Sequence, residues 1–291
     1  MSPKQNDFVT QFDAQDAADA ISEHGFLLTQ VVREKIRSGV QGDIDNGWKI
    51  LGAEYPVTAM DGSQTKIDLV LAHVRAANVH ICLECKRPNP KFKFWLFFDK
   101  QNADFFIEQG RMASHTGGQP IDYKQSIASG FSAKNLSAFN GYLEATVKRN
   151  SDKVSNTETI EKGLRQIIAG HTGLMEKLRR FEREAMSFYR SIPVLVTTAQ
   201  LFEAKFNAKD IALKTGMIEP SSIEMSALNF CAVNYHSDDS LSIPRQYTSH
   251  RKGDVATDIM FFQNRTVFIV NSLAINDFLS WAGHYLTEHP T

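Results

Sequence analysis

At 291 residues, with 42% hydrophobic and 22% charged side chains, the chain has the make-up of an ordinary globular protein with a large buried core, which argues against disorder. A formal net charge of -1 excludes nucleic-acid binding by bulk charge, so such contacts must rely on local basic patches. Three cysteines make no disulfide framework, the first twenty residues lack a basic-then-apolar leader, and no apolar run reaches membrane-spanning length, so the expectation is a cytoplasmic protein.

In chain order, residues 13 to 37 read as helix, with Leu28, Val31, Val32 and Ile36 as its apolar positions and Gly25 as a point where it splits in two. A polar turn leads to Trp48, Ile50 and Leu51, a first strand ending near Pro56. Asp61 and Gly62 mark a turn before the two best strand candidates, Thr65 to Leu71 and Val79 to Lys86. From 110 to 156 the chain is rich in Gly, Ser, Asn and Lys and reads as a polar insertion of loops with one short helix.

Helices are expected around 158–169 and 173–190, followed by Ile192 to Ala199, an apolar run suited to a strand buried on both faces. Ala227 to Tyr235 reads as a further strand, and Asp258 to Phe262 is expected to pair with Thr266 to Val270 across a turn at Gln263, Asn264 and Arg265. An amphipathic helix from Ala274 to Leu286 closes the chain. The whole, 1–291, reads as one α/β domain with a central mixed β-sheet flanked by helices and the insertion at 110–156.

Strand alternation sends Val79, Ile81, Leu83 and Cys85 to one face and His80, Cys82, Glu84 and Lys86 to the other. The same rule puts Ile67, Leu69 and Leu71 on an apolar face and Lys66 and Asp68 on a polar one. In a hairpin centred on Ala76, Asp68 and Glu84 stand opposite each other. Two carboxylates this close repel unless a cation sits between them, and Mg²⁺ favours such hard oxygen ligands, completing its shell with water and substrate phosphate. Lys86, two residues beyond Glu84, is placed to orient a water or offset negative charge.

An isolated Glu-X-Lys is ordinarily an exposed ion pair. Glu203-Ala204-Lys205 lacks an acid at a suitable distance before it, and Asp122-Tyr123-Lys124 lies among Gly and Pro, so only Glu84-Cys85-Lys86 has the full context. With Asp68 before Glu84 and fifteen residues between them, these residues resemble the PD-(D/E)XK, restriction-endonuclease-like superfamily, although Ile67 stands where that signature has proline. The resemblance implies a restriction-endonuclease-like core. It implies Asp68 and Glu84 as metal ligands, with help from the main-chain carbonyl of Cys85, Lys86 as the catalytic lysine, and Mg²⁺ or Mn²⁺ as cofactor.

Many relatives also place an acid on the first helix. Glu34 is the nearest candidate, but it lies away from the apolar stripe, leaving Gln30 or Thr29 as replacements. Arg165 and Gln166 match, in residue type only, polar groups that some relatives aim at the site. Cys82 and Cys85 point to opposite strand faces and make no zinc site with Cys231, and His80 reads as a structural residue.

Arg87, Lys91 and Lys93 interleave with Phe92, Phe94 and Trp95, as either a phosphate-contacting rim or the wet side of a strand. The charges of 173–190 read as a salt-bridged helix, and Arg245, His250, Arg251 and Lys252 as a surface loop. The expected activity is metal-dependent endonucleolytic hydrolysis, with DNA chosen over RNA by resemblance alone and a homodimer suited to cutting two strands. The alternative is a catalytically inactive nuclease-fold protein that binds nucleic acid or another protein.

Overall fold

The computed structural model describes residues 14–23, 26–41, 47–59, 61–76, 78–89, 91–101, 105–111, 126–128, 136–146, 155–181, 188–236 and 264–288. Two helices, α1 (Ala14–Glu23) and α2 (Phe26–Gln41), lie on either side of Gly25, as the glycine predicts. Leu28, Val32 and Ile36 of α2 are buried, whereas Val31, expected beside them, is exposed.

Three antiparallel strands follow: β1 (Trp48–Thr58), β2 (Gln64–His73) and β3 (Val79–Lys86). β1 runs past Pro56, which an edge strand tolerates because a proline there removes no ladder hydrogen bond that the sheet needs. Next come β4 (Phe94–Gln101), β5 (Phe105–Arg111), β6 (Ser126–Ala128), β7 (Ala138–Ala145) and β8 (Ser155–Asn156). The described parts of 110–156 are therefore strands, not loops with a short helix, and β7 is integral to the main sheet.

The two helices expected after residue 158 are one, α3 (Glu158–Phe181). Gly170 and Gly173 lie where the two were expected to part. Here they let the helix approach the sheet: a Cβ at Gly170 would lie 2.8 Å from Ile67 Cγ1, and one at Gly173 2.7 Å from the carbonyl oxygen of Thr58. Residues 188–190, expected at the end of the second helix, belong to β9 (Phe188–Thr197).

β9 is followed by β10 (Gln200–Lys205), β11 (Glu224–Leu228), β12 (Phe230–His236), β13 (Asn264–Asn271) and α4 (Ile275–Glu288). The strand expected at 227–235 is thus two, β11 and β12. Asn264 and Arg265, expected in a turn, start β13, while 258–262 lies outside the described residues.

Among the described residues the strands form one mixed sheet in the order β1-β2-β3-β9-β13-β12-β7-β4-β10-β11, with β5 also on β9. β3 and β9 are parallel, Glu84 opposite Leu195 and Lys86 opposite Thr197. β9 and β10 are separated by two residues, yet four strands stand between them in the sheet, so the sheet must coil back on itself.

Its outer side packs Leu69, Leu71, Ile81, Leu83 and Val194 against α2 and α4. Its inner side packs Trp95, Phe97, Phe139, Val233 and Leu195 against Ile160, Leu164 and Ile167 of α3. The fold is thus α/β, with a large mixed sheet flanked by helices, and no described helix is long and apolar enough to cross a membrane.

Candidate active site

Both faces of β2 and β3 are buried where they pair, so the expected division into an apolar and a polar face does not hold. Cys82 and Val70 pack on the α3 side, Leu69 and Leu83 on the α2 side. Ile67 packs with α3 although Leu69 faces α2, a switch that alternation forbids in a regular strand. With helices on both sides either face accepts an apolar residue, and β2 changes course between them at Asp68.

The change of course is what builds the site. The β2–β3 ladder ends with Leu69 opposite Leu83, so Asp68 and Glu84 occupy the next transverse position, as the hairpin centred on Ala76 requires. Beyond it, the N–H of Cys85 donates to the side chain of Asp68, Oδ2 at 2.7 Å. Thr29 of α2, buried, also hydrogen-bonds Asp68 and the Cys85 side chain. Thr29 therefore stands where an acid was sought, while Glu34 is exposed and pairs with Arg37 at 3.0 Å.

Glu84 is only 4% exposed and holds Lys86, Oε1 to Nζ 2.7 Å. Burial, then the charge of Asp68, pushes its carboxyl from 4.5 up to about 7, against the pull of Lys86. Burial likewise raises Asp68 above 3.8, opposed by the Cys85 N–H and by Lys86. Lys86 thus pulls down both acids, and Asp68 pushes up Glu84.

Glu54 is the residue sequence reasoning missed. Ala53 faces Leu69 and Tyr55 faces Ile67, which puts Glu54 across from Asp68 on the other side from Glu84. Applying to Asp61 the hairpin symmetry used at Ala76 would have found it. Its backbone has a positive φ of 49°, its carboxylate meets Lys66 at 3.7 Å, and its charge raises both Asp68 and Glu84.

α3 covers the same gap. A Cβ at Gly163 would lie 3.1 Å from Lys86 Cγ, and Gly170 lies over Ile67, so Gln166, between them on the helix, stands above the opening between β2 and β3. Gln166 is half-buried, with no hydrogen-bond partner for Oε1 among the described residues. Arg165 is exposed and bonds Tyr235 instead.

Arg87, Lys91 and Lys93 are exposed on the connection from β3 to β4, and β4 continues as a strand with Trp95 and Phe97 buried. Cys82, Cys85 and Cys231 are free and buried, Cys82 and Cys85 in different cores, which rules out their sharing a zinc ion. His80 is buried.

The competing triplet at Glu203 is a buried acid between Lys100 at 3.6 Å and Lys205 at 3.8 Å, a structural ion set. Asp122, Tyr123 and Lys124 lie outside the described residues, as do Arg245, His250, Arg251 and Lys252.

Among the described residues no three His, Cys, Asp or Glu side chains form a ready-made metal cage. Asp68 and Glu84 are instead an open pair of hard oxygen donors, the kind Mg²⁺ uses when water and a phosphate complete its shell. Burial of Glu84 beside Asp68, with Lys86 as its ion-pair partner among the described residues, also fits a site that takes a cation. Comparison of the chain with family models, curated proteins and solved structures returns no match.

Proposed function

We propose that the chain is a metal-dependent endonuclease of the restriction-endonuclease-like kind, hydrolysing phosphodiester bonds in DNA. The observation that carries this reading is the convergence of Asp68, Glu84 and Lys86 where β2 leaves β3. The mixed sheet with helices on both faces agrees with it.

Asp68 and Glu84, with the main-chain carbonyl of Cys85, would hold Mg²⁺ or Mn²⁺, which when bound supplies a polarised phosphate and a more acidic water. Thr29 and the Cys85 N–H hold the Asp68 carboxylate in place beside Glu84. Glu84 holds the Lys86 ammonium at the site, where it offsets negative charge developing on the phosphate. Water attacks phosphorus and gives up a proton, the P–O bond to the leaving strand breaks, the leaving oxygen takes up a proton to become a hydroxyl, and the other strand end keeps the phosphate. Arg87, Lys91 and Lys93 supply exposed positive charge next to this centre in the chain.

The test is incubation of the purified protein with plasmid and linear DNA in Mg²⁺ or Mn²⁺, beside Lys86→Ala and Asp68→Asn. Cleavage confined to the unsubstituted protein is expected. Cleavage that persists in both variants contradicts the assignment, and tight DNA binding without cleavage favours a non-catalytic binding protein.

A further inference from the structure

The two ends of the sheet are built differently. At one end β1 carries Pro56, exposed Lys49, a register shift between Ile50 and Gly52, and the positive φ of Glu54, all features that stop another strand from adding. At the other end β11 has no proline, no lysine and no bulge. It pairs through all five residues with β10, and Glu224, Met225, Ser226 and Ala227 are exposed. Its second edge has no strand on it among the described residues.

Residues 206–223, between β10 and β11, form an arm held by its own hydrogen bonds. Asn207 Oδ1 accepts from the N–H of Lys209, Ile211 bridges Ile218, and Ala212 N–H donates to Met217 O at 2.8 Å around a tip with Gly216 at φ 66°. That tip presents Leu213, fully exposed, and Met217, 70% exposed. Leu273, 81% exposed, sits beside the far end of β11, because Asn271 N–H bonds Asn229 O and Leu273 N–H bonds Asn271 Oδ1.

We infer that β11 is the self-association edge of this protein and that its occupant is β11 of a second copy, antiparallel about a twofold axis at Ser226. The edge is complementary to itself. Met225 then faces Ala227 of the second copy, and Glu224 faces Leu228, so no like charges meet across the new ladder. Within each copy Lys205 already stands opposite Glu224.

The same axis carries each arm past the Leu228 end of the second copy, toward the exposed Leu273 there. Outbound residues 205–214 hold Lys205, Lys209 and Lys214 against one acid, Asp210, while the return residues 215–228 hold Glu219 and Glu224 and no base. With as many acids as bases over 205–228, the arm suits a protein surface more than a phosphate backbone. The inference is independent of the nuclease reading.

Cysteine cross-linking of the full chain tests it. About the twofold axis the two Ser226 Cα atoms lie ~4.5–5.5 Å apart, within reach of a disulfide, whereas the two Glu224 residues are four positions apart along the strands, about 13 Å. The native cysteines are buried and do not compete.

Ser226→Cys is expected to form a covalent dimer under mild oxidation and Glu224→Cys is not. Sedimentation equilibrium should find a dimer that Leu213→Asp weakens by about tenfold or more. A monomer at every concentration overturns the inference, as does equal cross-linking of the two cysteine variants. A monomer whose DNA affinity falls in Leu213→Asp also overturns it, and assigns the arm to nucleic acid.

Discussion

Burial of Glu84 sets a pH dependence with a definite sign. Because its carboxyl is raised from 4.5 to about 7, the folded chain holds that proton more tightly than the unfolded chain. The stabilisation is complete below 4.5 and is lost as pH rises through about 7. In chelator, Glu84→Gln should therefore melt above the unsubstituted protein beyond pH 7, with the gap closing toward pH 4.5; a constant gap contradicts the burial of the charge.

Glu54→Gln should lower the Glu84 titration followed by NMR, since Glu54 raises it. Thr29→Val removes the hydroxyl from Asp68 and Cys85, and should lower stability by about 1 kcal/mol in denaturant unfolding. At this scale much was legible. The spacing of Asp68, Glu84 and Lys86 about Ala76 gave the trio, and the same symmetry about Asp61 gives Glu54, but the hydroxyl of Thr29 reaches the site through helix packing that the residue types do not encode.

Among the elements, α3 has the most direct bearing on the site, since it closes over the gap where β2 and β3 part. Its glycines at 163, 170 and 173 permit that approach. In an exposed helix Gly→Ala stabilises by roughly 1 kcal/mol. At Gly173 the added Cβ would meet the main chain of Thr58, which cannot rotate aside, so Gly173→Ala should lower the melting temperature; a rise would contradict the close contact.

The two helices expected at 158–169 and 173–190 are one, because tertiary contact reverses the ordinary tendency of glycine to interrupt helices. Strand alternation failed at Ile67 for a related reason. It marks a face only where one side is wet, and here helices cover both.

Across the whole molecule, net charge is -1 and the exposed cations Arg87, Lys91 and Lys93 lie on one connection. If they meet phosphates, replacing each with alanine should weaken DNA binding alike for all sequences and flatten the slope of log affinity against log salt by about 0.9 per residue. An unchanged slope would leave them as solvent-facing charges on that connection.

An α/β chain with a mixed sheet could be read from strands and helices alternating along the sequence. The strand order could not, because β9 pairs with β3 across a hundred residues and β10 returns to β4, pairings set by the coiling of the sheet and invisible to local pattern.

The most direct measurement is calorimetric titration of Mn²⁺ into the protein, Asp68→Asn and Glu84→Gln at a pH above the Glu84 value of about 7. One binding event in the unsubstituted chain, lost in both variants with the fold retained by circular dichroism, is expected. Equal Mn²⁺ affinity in all three would mean that these carboxylates do not share an ion.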